Sequence, residues 1–460
     1  MARSHLLRTV GLIGAVGISI AGMSPTLAMN LNPQQLASHV GTAVPLVFAL
    51  ATAAVVLTAW CFARLSSRHP HAGSVYHSAG ATLGPRTGLF AGWSLFGAYL
   101  SFGGVFIAGI AIFLSSLVPA LPQDAVAVVA AVVIVILSIA PVRTVTVALL
   151  VVEAVSLVSM TILAIVVFSR ADFQHAGVGG IDLFIPASGI GFTPVALALA
   201  FGLLSFAGFE QVATLGEDTM DPRRQIPIAL IGTAAVGGAI YTLVAAAEVL
   251  GVYDKRGGMD AFLASDGLLQ TLGTDYVSPT VGDAFELFAV ASALAGALAV
   301  VVATTRMLFA FARDLAPASQ LARVSDEGGA PRRAIVLVSA LGLAEYGLCR
   351  VAFGATPQDV FFWFGTLGAI MILVPYLLVA VGAGRSFAGN AGLGKVEVLV
   401  PLAAGAVILY TLKASIYPLG EGAYAVIPFV ALAWLVVGVL APIARPGLLA
   451  RVRTGLLAAD

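Results

Sequence analysis

Charge is what this sequence has least of. Only 10% of its 460 residues are Asp, Glu, Lys or Arg, whereas a soluble surface normally carries about 25 to 35%. The chain cannot clothe itself for water. Cysteine is almost absent: Cys61 and Cys349 are the only two, both in apolar runs, so neither a disulfide framework nor a cysteine metal site is indicated. The formal net charge is zero and no basic arm or aromatic-basic groove is visible, so nothing points to nucleic acid. Zinc motifs, a nucleophile beside a base and paired aspartates are all missing from mid-membrane positions, and neither an enzyme nor a cofactor is expected. No linker or soluble second domain interrupts the chain. The tail from Pro446 to Asp460 is too short for the output domain of a sensor.

What is present is apolar: 60% of the residues are hydrophobic. Runs of about 20 such residues predict an all-α polytopic membrane protein. Twelve helices are expected, starting near Val10, Ala43, Leu89, Asp124, Thr144, Ile190, Ile226, Asp283, Ala334, Asp359, Val396 and Tyr424. With the N-terminus inside, the cytoplasmic loops collect Arg3, Arg8, Arg64, Arg68, Arg86, Arg143, Arg223, Arg224, Arg306, Arg313, Arg323, Arg332, Arg333, Arg385, Lys395, Arg445, Arg451 and Arg453. Only Arg170, Lys255, Arg256, Arg350 and Lys413 remain outside. That bias sets both termini in the cytoplasm of a multi-pass plasma-membrane protein. Ser24-Pro25 and Asn30-Leu31-Asn32-Pro33 offer no small-residue cleavage site, so the first helix is read as part of the mature protein.

Two helices are interrupted. In the first, Ser19-Ile20-Ala21-Gly22-Met23-Ser24-Pro25 places a serine before a proline, which reads as an N-cap followed by the first residue of a new helix. A break near Gly22 with a restart at Pro25 would leave amides at Gly22, Met23 and Ser24 near the positive end of the outer half-helix, a site for a carboxylate. A simple proline kink is the plainer alternative. In the sixth helix, Ser205, Ala207 and Gly208 repeat the spacing of Ser19, Ala21 and Gly22. Ser386-Phe387-Ala388-Gly389 shows similar residues in a predicted loop, so the weight lies in position: the second break comes five helices after the first. Such a pair is the sequence pointer to an inverted-repeat transporter.

Carboxylates inside spans are functional candidates by default. Glu210 stands at the second break, where water can enter and its protonation can change with access; the alternative is a structural carboxylate bonded to backbone amides. Glu153 lies in the fifth helix, either functional or paired at the interface with a residue such as Arg143. Glu248, Glu286 and Glu345 match no break and are read as structural. Glu217 and Asp218 lie near Arg223 and Arg224, and ion pairs among them could latch an inner gate. Arg306 and Arg313-Asp314 at the end of the eighth helix are read as snorkelling to the inner interface. His69, His71 and His77 lack a helical pair with a carboxylate, so metal binding is not expected. Tyr99 and Phe102, and Trp363 and Phe364, either wall a cavity or only pack. The external stretch from Gly251 to Gly282 is expected to be the longest loop.

Ser205-Phe206-Ala207-Gly208-Phe209-Glu210, followed by Glu217-Asp218, Asp221-Pro222, Arg223 or Arg224, and Ile226-Pro227, resembles the signature of the amino acid-polyamine-organocation permeases. The resemblance extends to Gly73, Tyr76, Gly84 and Gly92-Trp93, and to Arg306 followed by Arg313-Asp314. It implies the five-plus-five inverted repeat of the leucine-transporter type, over residues 1–182 and 183–385, with two extra helices in 386–460. It implies transport of an amino acid or related amine by alternating access. On this resemblance the stretch Ile20 to Ser24 holds a substrate carboxylate, the carbonyls of Ser205, Phe206 and Ala207 receive the amino group, Phe209 helps close the site, and Tyr99 lies near it. Two departures bear on coupling. Leu298-Ala299 stands where a polar pair often serves sodium, and the fifth helix has no lysine. Proton coupling or exchange is therefore favoured over sodium. A polyamine or ethanolamine carrier is the alternative within the fold, and a channel or sensor outside it.

Overall fold

The computed structural model of the chain describes residues 8–140, 142–178, 182–186, 189–322, 332–388 and 395–459. In order, the elements are α1 (Leu12–Met23), α2 (Pro25–Val40), α3 (Val44–Arg68), α4 (Val75–Leu83), α5 (Pro85–Leu117), α6 (Gln123–Ser138) and α7 (Val142–Arg170). There follow α8 (Phe173–Ala176), α9 (Phe192–Leu204), a 3-10 segment (Phe209–Leu215), α10 (Pro222–Arg256), α11 (Met259–Leu263), α12 (Leu268–Tyr276) and α13 (Pro279–Leu315). The chain closes with α14 (Arg332–Phe353), α15 (Pro357–Ala388), α16 (Lys395–Ile416), α17 (Ala423–Ala444) and α18 (Pro446–Ala459). Among the described residues there is no strand, only an isolated parallel bridge between Val10 and Thr219.

Ten helices in the described residues are long and apolar enough to cross a membrane, with α1 and α2 counted as one; α9 and the 3-10 segment, bent by 42°, make an eleventh, and α6 is a shorter apolar helix. Each of the twelve expected spans is thus occupied by a helix, and the protein is a multi-pass membrane protein. Starts differ where proline opens the helix. The third and eighth spans begin at Pro85 and Pro279, ahead of Leu89 and Asp283, because proline at the first helical position gives up no needed donor.

Two stretches between the expected spans are folded. Residues 75–83 form α4, which lies close against α5 because both faces are bare: a Cβ on Gly88 would stand 2.5 Å from the Gly80 Cα. The stretch after Gly251 is not a loop throughout. Helix α10 continues to Arg256, and α11 and α12 follow. Asn30 of α2 holds this cover down, its Oδ1 accepting the Leu269 amide at 3.1 Å.

The broken first span is the centre of the bundle and the late helices are its rim. Of the most apolar stretch of Leu12–Val40, 78% is buried, against 22% for Ala423–Ala444. On α7, exposed Val151, Val155, Val158, Ile162 and Ile165 recur every three or four residues, a stripe that faces lipid. Helix α17 is fixed to α5 by Trp93 and Trp434, stacked at 4.3 Å. Each indole N–H donates to the other's carbonyl, at 2.8 and 3.0 Å.

Candidate functional site

The first break turns on one residue. Ser24 adopts the left-handed conformation, φ 43° and ψ 65°, between the end of α1 and Pro25. That conformation costs a residue with a side chain about 1–3 kcal/mol, and the neighbours offset it. The Ser24 amide donates to the Ala21 carbonyl at 3.0 Å. Its hydroxyl lies 3.0 Å from the carbonyls of Ala21 and Ser292, sharing one proton between them. This corrects the expected N-cap: the left-handed turn points the hydroxyl back at α1 and α13, so it donates instead of accepting an α2 amide. Asp221 before α10 likewise makes no side-chain cap. The amide site shifts with it. Gly22 and Met23 belong to the last turn of α1 and the Ser24 amide is taken, while Ala28 bonds back to Ser24. The donors left at the start of α2 are the amides of Thr26 and Leu27.

The second break is wider. Helix α9 stops at Leu204, residues 205–208 turn, and Gly208 at φ 108° starts the 3-10 segment. Glu210 holds it open. Its Oε2 accepts the Gly208 amide at 3.0 Å and the Tyr376 hydroxyl at 2.5 Å, and its Oε1 accepts the Tyr99 hydroxyl at 2.9 Å. The two breaks interlock: a Cβ on Gly208 would stand 2.3 Å from the Gly22 carbonyl oxygen, and one on Gly22 would stand 2.5 Å from that of Gly208. Side chains stitch the same seam. The Ser19 hydroxyl donates to the Phe209 carbonyl at 2.7 Å and meets Thr233 of α10 at 2.7 Å. The Asn32 amide donates to the Ser205 hydroxyl at 2.9 Å.

Beside the seam is a small cavity of about 40 Å³, lined by Gly22, Met23, Ser24, Leu27, Ala28, Asn32, Phe102, Val105, Phe106, Leu204, Ala207, Phe361 and Gly365. No charged side chain is in that lining. Further along the same faces of α2 and α9 lies a larger cavity of about 370 Å³, reached by Gln35, His39, Leu197 and Phe201.

Of the site residues read from sequence, Gly22, Met23, Ser24 and Ala207 line the cavity. Ser19 and Ser205 stand behind it as stitches, Ala21 and Gly208 are packed in the seam, and Ile20 faces an apolar groove with Val16 and Leu157. Phe206 is turned onto Tyr241, ring centres 5.2 Å apart. Phe209 is not in the lining; it packs edge-on to Phe62 and Tyr376, because the 3-10 turn points it away from α2. Tyr99 is committed to Glu210. The aromatic walls are Phe102, which was among the expected ones, with Phe106 one turn beyond it and Phe361 within a turn of the expected Trp363-Phe364. Asn32 and Phe106 were missed by the reading, although an asparagine in an apolar span is itself a signal.

Glu153 is buried on α7 and accepts the Ser292 hydroxyl at 3.0 and 3.2 Å. Since the Ser292 carbonyl also meets the Ser24 hydroxyl, one residue separates this carboxylate from the first break. The Arg143 side chain lies outside the described residues, as does Gly389 of the third serine-containing repeat.

At the end of the bundle that carries residue 8, the expected ion pairs are exchanged for others. Asp218 faces Arg306 at 3.3 Å through both oxygens, and Glu217 faces Arg313 at 2.9 and 3.0 Å. Arg223 and Arg224 are exposed and pair with neither. Arg306 does not snorkel; it is 3% exposed. Seven residues separate Arg306 from Arg313, two turns, so both reach from one face of α13 to adjacent acids. The Thr9 and Val10 amides donate to the Asp218 carbonyl, both at 2.9 Å, which straps the N-terminal segment to the latch. Burial alone would raise the Glu217 carboxyl, but hydrogen bonds from Arg313 and the Ala72 amide and the nearby positive charge hold it below its usual range. His71, 3.5 Å from Glu217, is pushed down to about 3 by burial and is neutral. Its ring stacks on His77 at 4.4 Å. Among the described residues no group of three His, Cys, Asp or Glu is placed to hold a metal ion.

This chain is similar along most of its length to known carriers. An uncharacterized transporter of Mycobacterium tuberculosis (strain ATCC 25618 / H37Rv) is 29% identical over 373 residues, 79% of this chain and 80% of that one. The low-affinity putrescine importer PlaP of Escherichia coli (strain K12) is 28% identical over 348 residues, 74% of this chain and 75% of the importer. A mitochondrial cationic amino acid transporter of Arabidopsis thaliana is 25% identical over 67% of this chain and 51% of its own length. The profile of the family described as amino acid permease matches residues 14–439. Two interlocked helix breaks beside a buried cavity and this match together make the chain a membrane transporter of the amino acid permease family.

Proposed function

We propose that this permease moves a small amino acid with an uncharged side chain across the plasma membrane by alternating access, driven by protons or by exchange. The cavity at the seam carries the reading. At one end stand the Thr26 and Leu27 amides at the positive start of α2, suited to the α-carboxylate. At the other are carbonyls at the negative end of α9. Of the three expected to take the ammonium, Phe206 O already accepts the Phe209 amide, so Ser205 and Ala207 are the acceptors. The remaining wall is Phe102, Val105, Phe106 and Phe361, which suits an apolar side chain and leaves a second cationic group without a counter-ion.

One observation favours a diamine instead. Glu345 on α14 has an Oε2 that is buried without a hydrogen-bond partner, beside Gly104 on the cavity helix α5. If α5 and α14 shift in another state, that oxygen could meet a second ammonium, as a putrescine carrier requires.

In this reading residues 1–182 and 183–385 are inverted repeats, the two breaks are their corresponding parts, and residues 386–460 add two helices. Both termini are cytoplasmic, so the latch of Glu217, Asp218, Arg306 and Arg313 closes the inner side, with exposed Arg223 and Arg224 at its rim. Coupling falls to Glu153 ahead of Glu210. Three donors already engage both oxygens of Glu210, whereas Glu153 has one hydroxyl and a direct link through Ser292 to the first break. Sodium is disfavoured because Leu298 and Ala299 supply no oxygen ligands.

The test is uptake into proteoliposomes of labelled neutral amino acids and of labelled putrescine, with and without an inward proton gradient. The reading expects saturable amino acid uptake that the gradient stimulates, with stimulation lost and exchange retained in Glu153→Gln. Uptake only into preloaded vesicles means exchange. Uptake of putrescine and of no amino acid overturns the assignment of the α2 amides.

A further inference from the structure

One side-chain amide lines the seam cavity, and it belongs to Asn32. Ser24, Ala28 and Asn32 recur every four residues at and beyond the start of α2, so they share the face that it turns to the cavity. The Ser24 hydroxyl proton is already committed to the carbonyls of Ala21 and Ser292, and the rest of the lining is apolar. Asn32 itself is 4% exposed. Its orientation is fixed by a neighbour on the second break: the Ser205 hydroxyl donates to the Phe201 carbonyl at 3.3 Å, so its oxygen faces Asn32 as an acceptor and takes an Nδ2 hydrogen at 2.9 Å. That turns Oδ1 away from Ser205. The stitch uses only the nitrogen, and among the described residues Oδ1 has no hydrogen-bond partner. A buried carbonyl oxygen without a donor is costly, and on a cavity wall the missing donor belongs to what the cavity binds.

We propose that Asn32 is a substrate-binding residue whose Oδ1 takes the third N–H of a primary ammonium, so that the carrier prefers primary amines to N-methylated ones. An ammonium group of this kind has three donors. The carbonyls of Ser205 and Ala207 answer two of them and leave the third without an acceptor. Asn32 is bonded to the Ser205 side chain and lines the same cavity as Ala207, so its oxygen completes the set. A neutral amide does this without leaving a buried charge when the site is empty.

The inference rests on the seam cavity being the transport site. It does not rest on which solute is carried, because an α-amino acid and a diamine both present a primary ammonium. A secondary ammonium keeps two N–H groups, which the two carbonyls still meet. Its methyl group then faces the Asn32 oxygen, which is shielded from water and gains no bond.

The ligand-dependent rise in Tm of the purified full chain measures this binding without requiring transport. L-Alanine is compared with N-methyl-L-alanine, and putrescine with N,N′-dimethylputrescine, in wild type, Asn32→Leu and Asn32→Asp. In the wild type the primary amine of the pair that binds should be preferred by about tenfold or more, the worth of one hydrogen bond to a charged group. Asn32→Leu keeps a similar side-chain volume and removes the acceptor. Affinity for the primary amine should then fall by about tenfold, the methylated amine should bind as before, and the ratio should approach one. A merely structural role of the Ser205 stitch would instead lower both affinities together and leave the ratio alone. Asn32→Asp retains an acceptor and should raise the ratio, which keeps the test decisive if Asn32→Leu does not purify. No preference in the wild type, or a preference unchanged in the variant obtained, overturns the proposal. Ala28→Phe separates that failure from failure of the site: ligand shifts abolished there leave the amine in the seam cavity, whereas shifts that persist, or none with either primary amine in the wild type, overturn the site and the proposal together.

Discussion

The two broken helices are opened by different chemistry. The first breaks at one residue, Ser24, whose strained backbone is met by carbonyls already present on α1 and α13. The second spreads over residues 205–208, turns on a glycine that no other residue can replace without strain, and is anchored by a carboxylate with three donors on α5, α15 and its own backbone. A break held by one shared hydroxyl proton is easily altered; a break held by a carboxyl group with three partners is not. The comparison assigns mobility to the first and rigidity to the second.

The severest way to break that contrast is at the seam. Gly208→Ala puts a Cβ 2.3 Å from the Gly22 carbonyl oxygen on a residue with φ 108°. Strain of about 1–3 kcal/mol adds to an overlap that backbone cannot relieve, so little monodisperse protein should survive gel filtration. Well-behaved Gly208→Ala protein would show that the breaks do not interlock.

Glu210→Gln should have an intermediate effect. An amide offers one acceptor oxygen where the carboxylate offered two, leaving a tyrosine hydroxyl or the Gly208 amide unmet at a cost of about 1–3 kcal/mol. Thermal unfolding should show the loss, with Tyr376→Phe less severe because both Glu210 oxygens keep a donor. Ser24→Ala sharpens the comparison from the other side. It removes one shared hydrogen bond, about 1 kcal/mol, and its Tm should fall least of the three. A Ser24→Ala effect as large as that of Glu210→Gln would reverse the ranking.

The smallest effect at neutral pH belongs to the latch. The Glu217 carboxyl is held below its ordinary value of 4.5, so its ion pair contributes stability above that value and loses it as pH falls through the lower folded one. Between pH 7 and 5 the Tm contribution should be flat, then decline toward pH 3. Glu217→Gln should remove the acid-side decline attributable to this group; an unchanged decline would show that other groups carry it.

Much of this was legible in the sequence because it is local. Apolar runs bounded by proline and glycine mark the spans, Ser24-Pro25 and Ser205 to Glu210 mark the breaks, and Glu153 and Glu210 are conspicuous among apolar neighbours. What was not legible is long-range or rotational. The latch partners Arg306 and Arg313 lie 88 and 96 residues from their acids, and the nearer Arg223 and Arg224 drew the pairing wrongly. In a span apolar on all sides, periodicity does not tell which face meets the cavity, so Phe209 and Tyr99 were expected where Phe106 and Phe361 stand. The Ser24 side chain was misjudged because a left-handed serine directs its hydroxyl differently from an extended N-cap.

The central claim is that the cavity at the seam is the transport site, and Ala28→Phe addresses it most directly. Ala28 lines the cavity and is almost fully buried, and a phenyl ring there would fill the space between Ser24, Asn32 and Phe106. Uptake of labelled neutral amino acids should be measured in proteoliposomes of wild type and variant, each shown to be monodisperse. The account predicts that folded Ala28→Phe has lost saturable uptake. Unchanged KM and maximal rate in the variant would contradict it and move the site elsewhere.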